Sequence, residues 1–152
     1  MIKILFICHG NICRSPMAEF VMKHLTQQRG VARDYEIASA ATSAEEIGSG
    51  VHRGTREILA PLGITCAGKR AVQLRRADYD RYDLILGMDR ANLRDMRSLF
   101  GGDPENKLHL LLEYTGSDRD IADPWYTGNF EVTYRDVSAG CEALLNRLEE
   151  QK

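Results

Sequence analysis

The sequence predicts an α/β fold: a three-layer sandwich in which a four-stranded parallel sheet carries helices on both faces. Apolar runs of strand length alternate along the chain with segments of helical periodicity, the pattern of a sheet whose strands are joined by crossover helices. The first run, Ile2-Lys3-Ile4-Leu5-Phe6-Ile7, is nearly continuous rather than alternating, as a central parallel strand buried on both faces should be. No repeat, low-complexity tract or Pro-, Gly- or Ser-rich linker breaks the order, so one domain over residues 1–152 is expected.

Taken in order, residues 2–7 form the first strand. A helix follows from Ser15 to about Arg29, with Pro16 suited to its first turn and Phe20, Val21 and Leu25 on one face. Tyr35 to Ala40 reads as the second strand, and roughly Val51 to Leu62 as a second helix ended by Gly63. The charged run from Arg75 to Tyr82 reads as a solvated connection. Asp83 to Met88 is the third strand, Ala91 to about Leu99 a helix, and Leu108 to Leu112 the fourth strand. Glu131 to Glu150 forms a long last helix, because Val137, Cys141, Leu144, Leu145 and Leu148 recur at helical spacing.

Composition narrows the functions open to such a domain. With 152 residues, 43% of them hydrophobic and 28% charged, the chain can bury a sizeable core. A net charge of −2 and a pI near 6.1 provide no general attraction to nucleic acid or anionic membranes, so any anion site must be local. The N-terminal apolar run is too short for a signal peptide, and no stretch approaches the roughly 20 apolar residues that span a bilayer; a cytoplasmic location is expected. Cysteines stand at 8, 13, 66 and 141 with neither a disulfide framework nor zinc-ligand spacing. Reduced thiols and no structural metal follow, with Cys66 and Cys141 in the core. His9, His24, His52 and His109 form no cluster and read as exposed or capped imidazoles.

The chemistry lies between the first strand and the first helix, in Cys8-His9-Gly10-Asn11-Ile12-Cys13-Arg14-Ser15. A turn at that place binds phosphate through backbone N–H groups and the positive end of the helix. The same field and the nearby arginine favour the thiolate form of a cysteine. Cys8, Arg14 and Ser15 thus supply a nucleophile, a bidentate phosphate clamp and a hydroxyl donor on one loop. Asn11 tolerates the left-handed conformation that would lock such a loop. The implied reaction is transfer of phosphate onto sulfur.

The string Cys8 to Pro16 resembles the signature loop of the low-molecular-weight protein tyrosine phosphatases, and Asp123-Pro124-Trp125-Tyr126 resembles the segment that supplies their general acid. Ser39-Ala40-Ala41-Thr42-Ser43 and Tyr82 to Asp89 also match family segments in order, so the likeness runs over nearly the whole chain. The resemblance implies Cys8 as nucleophile, Arg14 as clamp and Asp123 as general acid. His9, Gly10, Asn11, Ile12, Cys13 and Ser15 would surround the phosphate, Trp125 and Tyr126 would line the pocket, and Ser39 would support the loop through Asn11. It further implies that Cys13 captures oxidised Cys8 as a disulfide. Phosphotyrosine proteins would be the substrates, with phosphate or other oxyanions in the site. No metal or organic cofactor, nucleic acid or membrane would be involved, and the chain would be monomeric or weakly self-associating.

Two departures from the family pattern stand out. Glu45 occupies a position where many relatives have an aromatic wall, so that side of the substrate pocket reads as acidic. A histidine of the family's support network has no counterpart around Cys66-Ala67-Gly68-Lys69-Arg70. Among rival readings, an arsenate reductase on this fold needs two further redox cysteines near the third strand, which Cys66 and Cys141 do not provide. A sugar-transport phosphocarrier needs neither Arg14 nor Asp123, and a non-catalytic anion-binding module does not require the trio.

Overall fold

The computed structural model describes Met1–Lys152. Its sheet has four parallel strands in the order β2-β1-β3-β4, namely β1 (Ile2–Cys8), β2 (Tyr35–Ala41), β3 (Leu84–Gly87) and β4 (Leu108–Leu110). Around it lie α1 (Arg14–Gln28), α2 (Arg53–Leu59), α3 (Asp78–Arg81), α4 (Arg90–Phe100), α5 (Pro124–Thr127) and α6 (Phe130–Glu150). This is the expected three-layer architecture. Alternate residues of β1 feed two cores: Ile4 and Phe6 pack with Met17, Val21, Val137 and Leu144 of α1 and α6, whereas Leu5 and Ile7 pack with Tyr79, Tyr82 and Met96. A continuous apolar strand is therefore what burial on both faces demands. Gly140 lets α6 press close, since a Cβ there would stand 2.6 Å from the Leu111 side chain.

The expected elements are present, with shifted ends. The second helix begins at Arg53 and gives way to a 3-10 turn over 60–62, where Pro61 removes an N–H and Gly63 closes the end at φ 76°. The fourth strand stops at Leu110, because Leu111–Thr115 wind into a 3-10 helix whose Glu113 carboxylate accepts from the Leu110 N–H at 3.1 Å. One reading needs correction: 75–82 is not a solvated connection. It contains α3, buries Asp78, Tyr79 and Tyr82, and is anchored by the Tyr79 hydroxyl donating to Asp103 at 2.6 Å. The charges of that run hide rings that face the core.

Strand order places the site. From β1 the chain first moves outward to β2 and then returns to the other side of β1 for β3. The crevice beyond the carboxyl ends of β1 and β3 is the point where ligands bind in open sheets of this type. Cys8 ends β1 there, and Asp89 lies just beyond β3.

Candidate active site

From Cys8 the chain turns through 9–13 into α1. Asn11 makes the turn at φ 59°, a conformation that its short polar side chain tolerates. Buried beneath the loop, its amide donates to Ser15 Oγ at 2.8 Å and Ser39 Oγ at 2.9 Å and accepts from the Val72 N–H at 3.1 Å. The loop carbonyls are tied on the outside: Cys8 to Thr42 N–H (3.0 Å), His9 to Ser43 N–H (3.0 Å), Ile12 to His52 N–H (2.8 Å) and Cys13 to the Thr55 hydroxyl (3.0 Å). The N–H groups of His9, Gly10, Ile12, Cys13 and Arg14 meet no acceptor within the protein, and these residues line the central pocket. Successive N–H groups presented in this way form an anion nest. The first turn of α1 adds to it, because the Cys13 N-cap makes no side-chain cap bond and leaves the positive helix end open.

Ser15 lies within the first turn of α1. Its Oγ accepts from Asn11 and is 2.9 Å from Cys8 Sγ, placed to donate its hydroxyl proton to a thiolate there. The N–H groups of Asn11 and Ser15 approach the same sulfur at 3.3 and 3.4 Å. Three donors around one buried thiol stabilise negative charge on it.

Arg14 is almost fully buried. One guanidinium nitrogen donates to Asp89 Oδ2 at 2.7 Å and to the Ile121 carbonyl at 2.8 Å, while the other reaches Asp123 Oδ2 at 3.4 Å. Burial works against its charge, but Cys8, Asp89 and Asp123 outweigh that penalty and raise its pKa above the ordinary value. Asp89 does two jobs, since its other oxygen accepts from the Asn92 N–H at 2.8 Å and caps α4.

Asp123 is the N-cap of the one-turn helix α5, accepting from the Trp125 N–H at 3.0 Å. Pro124 at the first helical position fixes this geometry. The pocket between this segment and the loop has a volume of about 110 Å³. Cys8, Gly10, Ile12, Cys13 and Arg14 line it together with Asp123, Trp125 and Tyr126, and His9, Glu45 and Glu46 complete the lining. Trp125 and Tyr126 are 58% and 82% exposed, so the aromatic side of the pocket is open. Glu45 Oε2 lies 3.2 Å from His9 Nε2, both side chains largely in solvent. Asn11 and Ser15, expected around the phosphate, are instead buried behind the loop. The Cys13 thiol is pushed up to about 12, first by burial and then by Cys8 and Asp123.

Several contributors were not visible in the sequence. Asp89 and Glu46 join the site from separate segments. Beneath the loop, the Ser39 hydroxyl donates to Glu19 Oε1 at 2.6 Å, and Lys69 Nζ donates to the Ser39 carbonyl at 2.9 Å while lying 3.5 Å from Glu19. Lys69 thus occupies the support region where the histidine is missing. A strand-exit Asp followed three residues later by Asn was the one local signal for Asp89, as a helix cap. No group of three or more His, Cys, Asp or Glu side chains is arranged to hold a metal ion.

Comparison with known proteins agrees with this geometry. Residues 3–152 match the family model for low molecular weight phosphotyrosine protein phosphatases. The chain is 40% identical to the low molecular weight protein-tyrosine-phosphatase YfkJ of Bacillus subtilis, covering 100% of this chain and 99% of that protein. The YfkJ crystal structure superposes with a TM-score of 0.96, covering 100% of this chain and 97% of that one. PtpA of Staphylococcus epidermidis is 35% identical over 96% of this chain and 93% of its own length. A Drosophila arginine phosphatase superposes with a TM-score of 0.88 at 29% identity, covering 97% and 98% of the two chains.

Proposed function

The chain belongs to the low molecular weight phosphotyrosine protein phosphatase family and is a cysteine-dependent protein tyrosine phosphatase; within that activity we propose that Cys8, Arg14 and Asp123 carry the reaction. The observation behind this assignment is the Cys8 sulfur, held by three donors beside a nest of unpaired N–H groups, with Arg14 and Asp123 lining the same pocket.

A phosphotyrosine dianion enters with its equatorial oxygens on the free N–H groups and on Arg14. The 3.4 Å contact between Arg14 and Asp123 is long, so phosphate oxygens displace it readily and free the carboxyl to carry a proton. Cys8 thiolate attacks phosphorus, Asp123 gives its proton to the phenolic oxygen, and tyrosine leaves. Asp123, now ionised, takes a proton from water as that water attacks the phosphocysteine. The S–P bond breaks, phosphate is released and the thiolate returns to its Ser15 hydrogen bond. Arg14 and the backbone N–H groups supply the charge stabilisation, with no metal or organic cofactor in the scheme.

Ring selectivity comes from the walls, because the same fold carries an arginine phosphatase. Ile12, Trp125 and Tyr126 offer apolar and aromatic surface to a phenyl ring, while Glu45 and Glu46 add acidic lining. Phosphotyrosine flanked by Lys or Arg fits that combination best. The reading takes residues 1–152 as one domain acting in the cytoplasm, monomeric or weakly self-associating. No helix is long and apolar enough to cross a membrane.

Assaying Cys8→Ser against phosphotyrosine peptides and para-nitrophenyl phosphate tests the assignment. The variant should keep its fold and its affinity for phosphate and lose turnover, since a hydroxyl is a far weaker nucleophile at neutral pH. Substantial residual activity would remove Cys8 from the mechanism.

A further inference from the structure

His52 lies outside the pocket lining, yet it touches both halves of the site. Its backbone N–H donates to the Ile12 carbonyl at 2.8 Å, and its Nδ1 accepts from the Gly54 N–H at 2.9 Å to cap α2. An accepting Nδ1 places the ring proton on Nε2. The imidazole stacks on Phe130 at 5.0 Å with an interplanar angle of 20°, and its edge meets the Trp125 ring at 5.8 Å and 83°. Phe130 opens α6 and Trp125 belongs to α5, so rings from three segments meet at His52. Gly54 is required for it: a Cβ at that position would stand 2.5 Å from the Phe130 ring.

We propose that His52 is a positioning residue that sets the Trp125 wall at a fixed distance from the phosphate loop and thereby tunes the pocket for aryl phosphates. Trp125 is more than half exposed on a helix of a single turn, and His52 is the ring it leans on. The backbone of His52 is bonded to the loop that holds phosphate, and its ring is bonded by contact to the wall that meets the substrate ring. One residue therefore transmits the position of one to the other. Edge-on and stacked rings hold their geometry beyond what area burial alone supplies. The inference rests on the tyrosine phosphatase reading.

The test separates ring from cap. His52→Asn keeps an N-cap acceptor and the backbone bond to Ile12 but removes the imidazole; His52→Phe keeps a ring and loses the cap. For His52→Asn the KM for a phosphotyrosine peptide should rise about three- to tenfold, the scale of one aromatic contact, with kcat changed by less than about twofold. Inhibition by inorganic phosphate, which needs only the loop, should stay as in the parent. His52→Phe should bring KM back towards the parent value. Trp125 is the one tryptophan of the chain, so its emission and anisotropy report the wall without any turnover: His52→Asn should red-shift the emission and lower the anisotropy, and His52→Phe should reverse both. Unchanged KM and Trp125 emission in His52→Asn would reduce His52 to a helix cap and overturn the proposal. So would a loss of phosphate inhibition equal to the loss of peptide binding, which would put the effect in the loop. Failure of the parent chain itself to hydrolyse phosphotyrosine would instead strike the tyrosine phosphatase reading, leaving the fluorescence comparison to decide the role of His52.

Discussion

Replacing Asp123 with Asn removes both proton transfers of the reaction, donation to the leaving group and uptake from water, while the structure lets the structural roles of that side chain survive. Asn caps helices as well as Asp does, so the bond from the Trp125 N–H is kept. Arg14 retains its 2.7 Å bond to Asp89 and its 2.8 Å bond to the Ile121 carbonyl, losing a charge only at 3.4 Å. With Asp123 partly open to solvent, the stability change should stay within about 1 kcal/mol. What disappears is the proton for the departing phenolate, a step worth about 10²- to 10⁴-fold, or roughly 3–5 kcal/mol of barrier. The size must depend on the leaving group. Tyrosine leaves with a pKa of about 10 and needs the proton, whereas nitrophenolate is far more acidic and needs it less. Steady-state kinetics on a series of aryl phosphates should therefore show kcat/KM, which covers the steps up to departure of the phenol, falling most for phosphotyrosine, about tenfold or more beyond the fall for para-nitrophenyl phosphate. Thermal melts and phosphate inhibition serve as controls. A loss in kcat/KM of equal size across the series would mean that Asp123 shapes the loop rather than donating a proton.

Asp89→Asn keeps the α4 cap but takes the charged partner from Arg14; kcat/KM should fall about ten- to a hundredfold, the worth of one hydrogen bond to a charged group, with phosphate inhibition weakening in parallel. Mild peroxide should inactivate reversibly through a Cys8–Cys13 disulfide detectable by mass spectrometry, and a Cys8 found only as sulfinic or sulfonic acid would exclude it. Since Cys13 is pushed up to about 12, its thiolate fraction below that value rises about tenfold per pH unit, so capture should quicken as pH is raised from neutrality. Glu45→Trp removes the carboxylate beside His9 and adds a ring at the mouth; kcat/KM for phosphotyrosine peptides should improve by about 1 kcal/mol and any preference for basic flanking residues should shrink. Peptide kinetics unchanged in both respects would place Glu45 outside the recognition surface.

What could be read from the sequence was what the chain keeps contiguous. The loop from Cys8 to Ser15 carries its strand, turn and helix start within a few residues, and Ile2–Ile7 announces a strand covered on both faces. Asp123 could be found at a distance because Pro124, Trp125 and Tyr126 travel with it. Asp89, His52, Glu19 and Lys69 were illegible for the opposite reason. Each acts through a partner on another element: Asp89 reaches Arg14 only because β3 lies beside β1, and His52 meets Trp125 only because α2 and α5 converge. The run 75–82 was misread because counting charges hides the fact that Tyr79 and Tyr82 share a buried side.

The support beneath the loop divides two tasks that the sequence presents as one. Ser15 and the two N–H groups on Cys8 stabilise the sulfur, and Asn11 stabilises the turn. From Asn11 the connection continues to Ser39 and then to Glu19, a buried carboxylate close to an anion-binding loop. Left alone, that charge would oppose the binding of phosphate. It is neutralised by Lys23 at 2.6 Å and by Lys69 at 3.5 Å, and Lys69 also holds the Ser39 carbonyl. Burial lowers the pKa of Lys69, and the Glu19 charge opposes that shift. A lysine suits this place because its single compact charge can sit between the Ser39 carbonyl and the Glu19 carboxylate. The loop is thus anchored in an ion pair that lies outside the pocket lining, while Ser15, Arg14 and the helix end act on the sulfur directly.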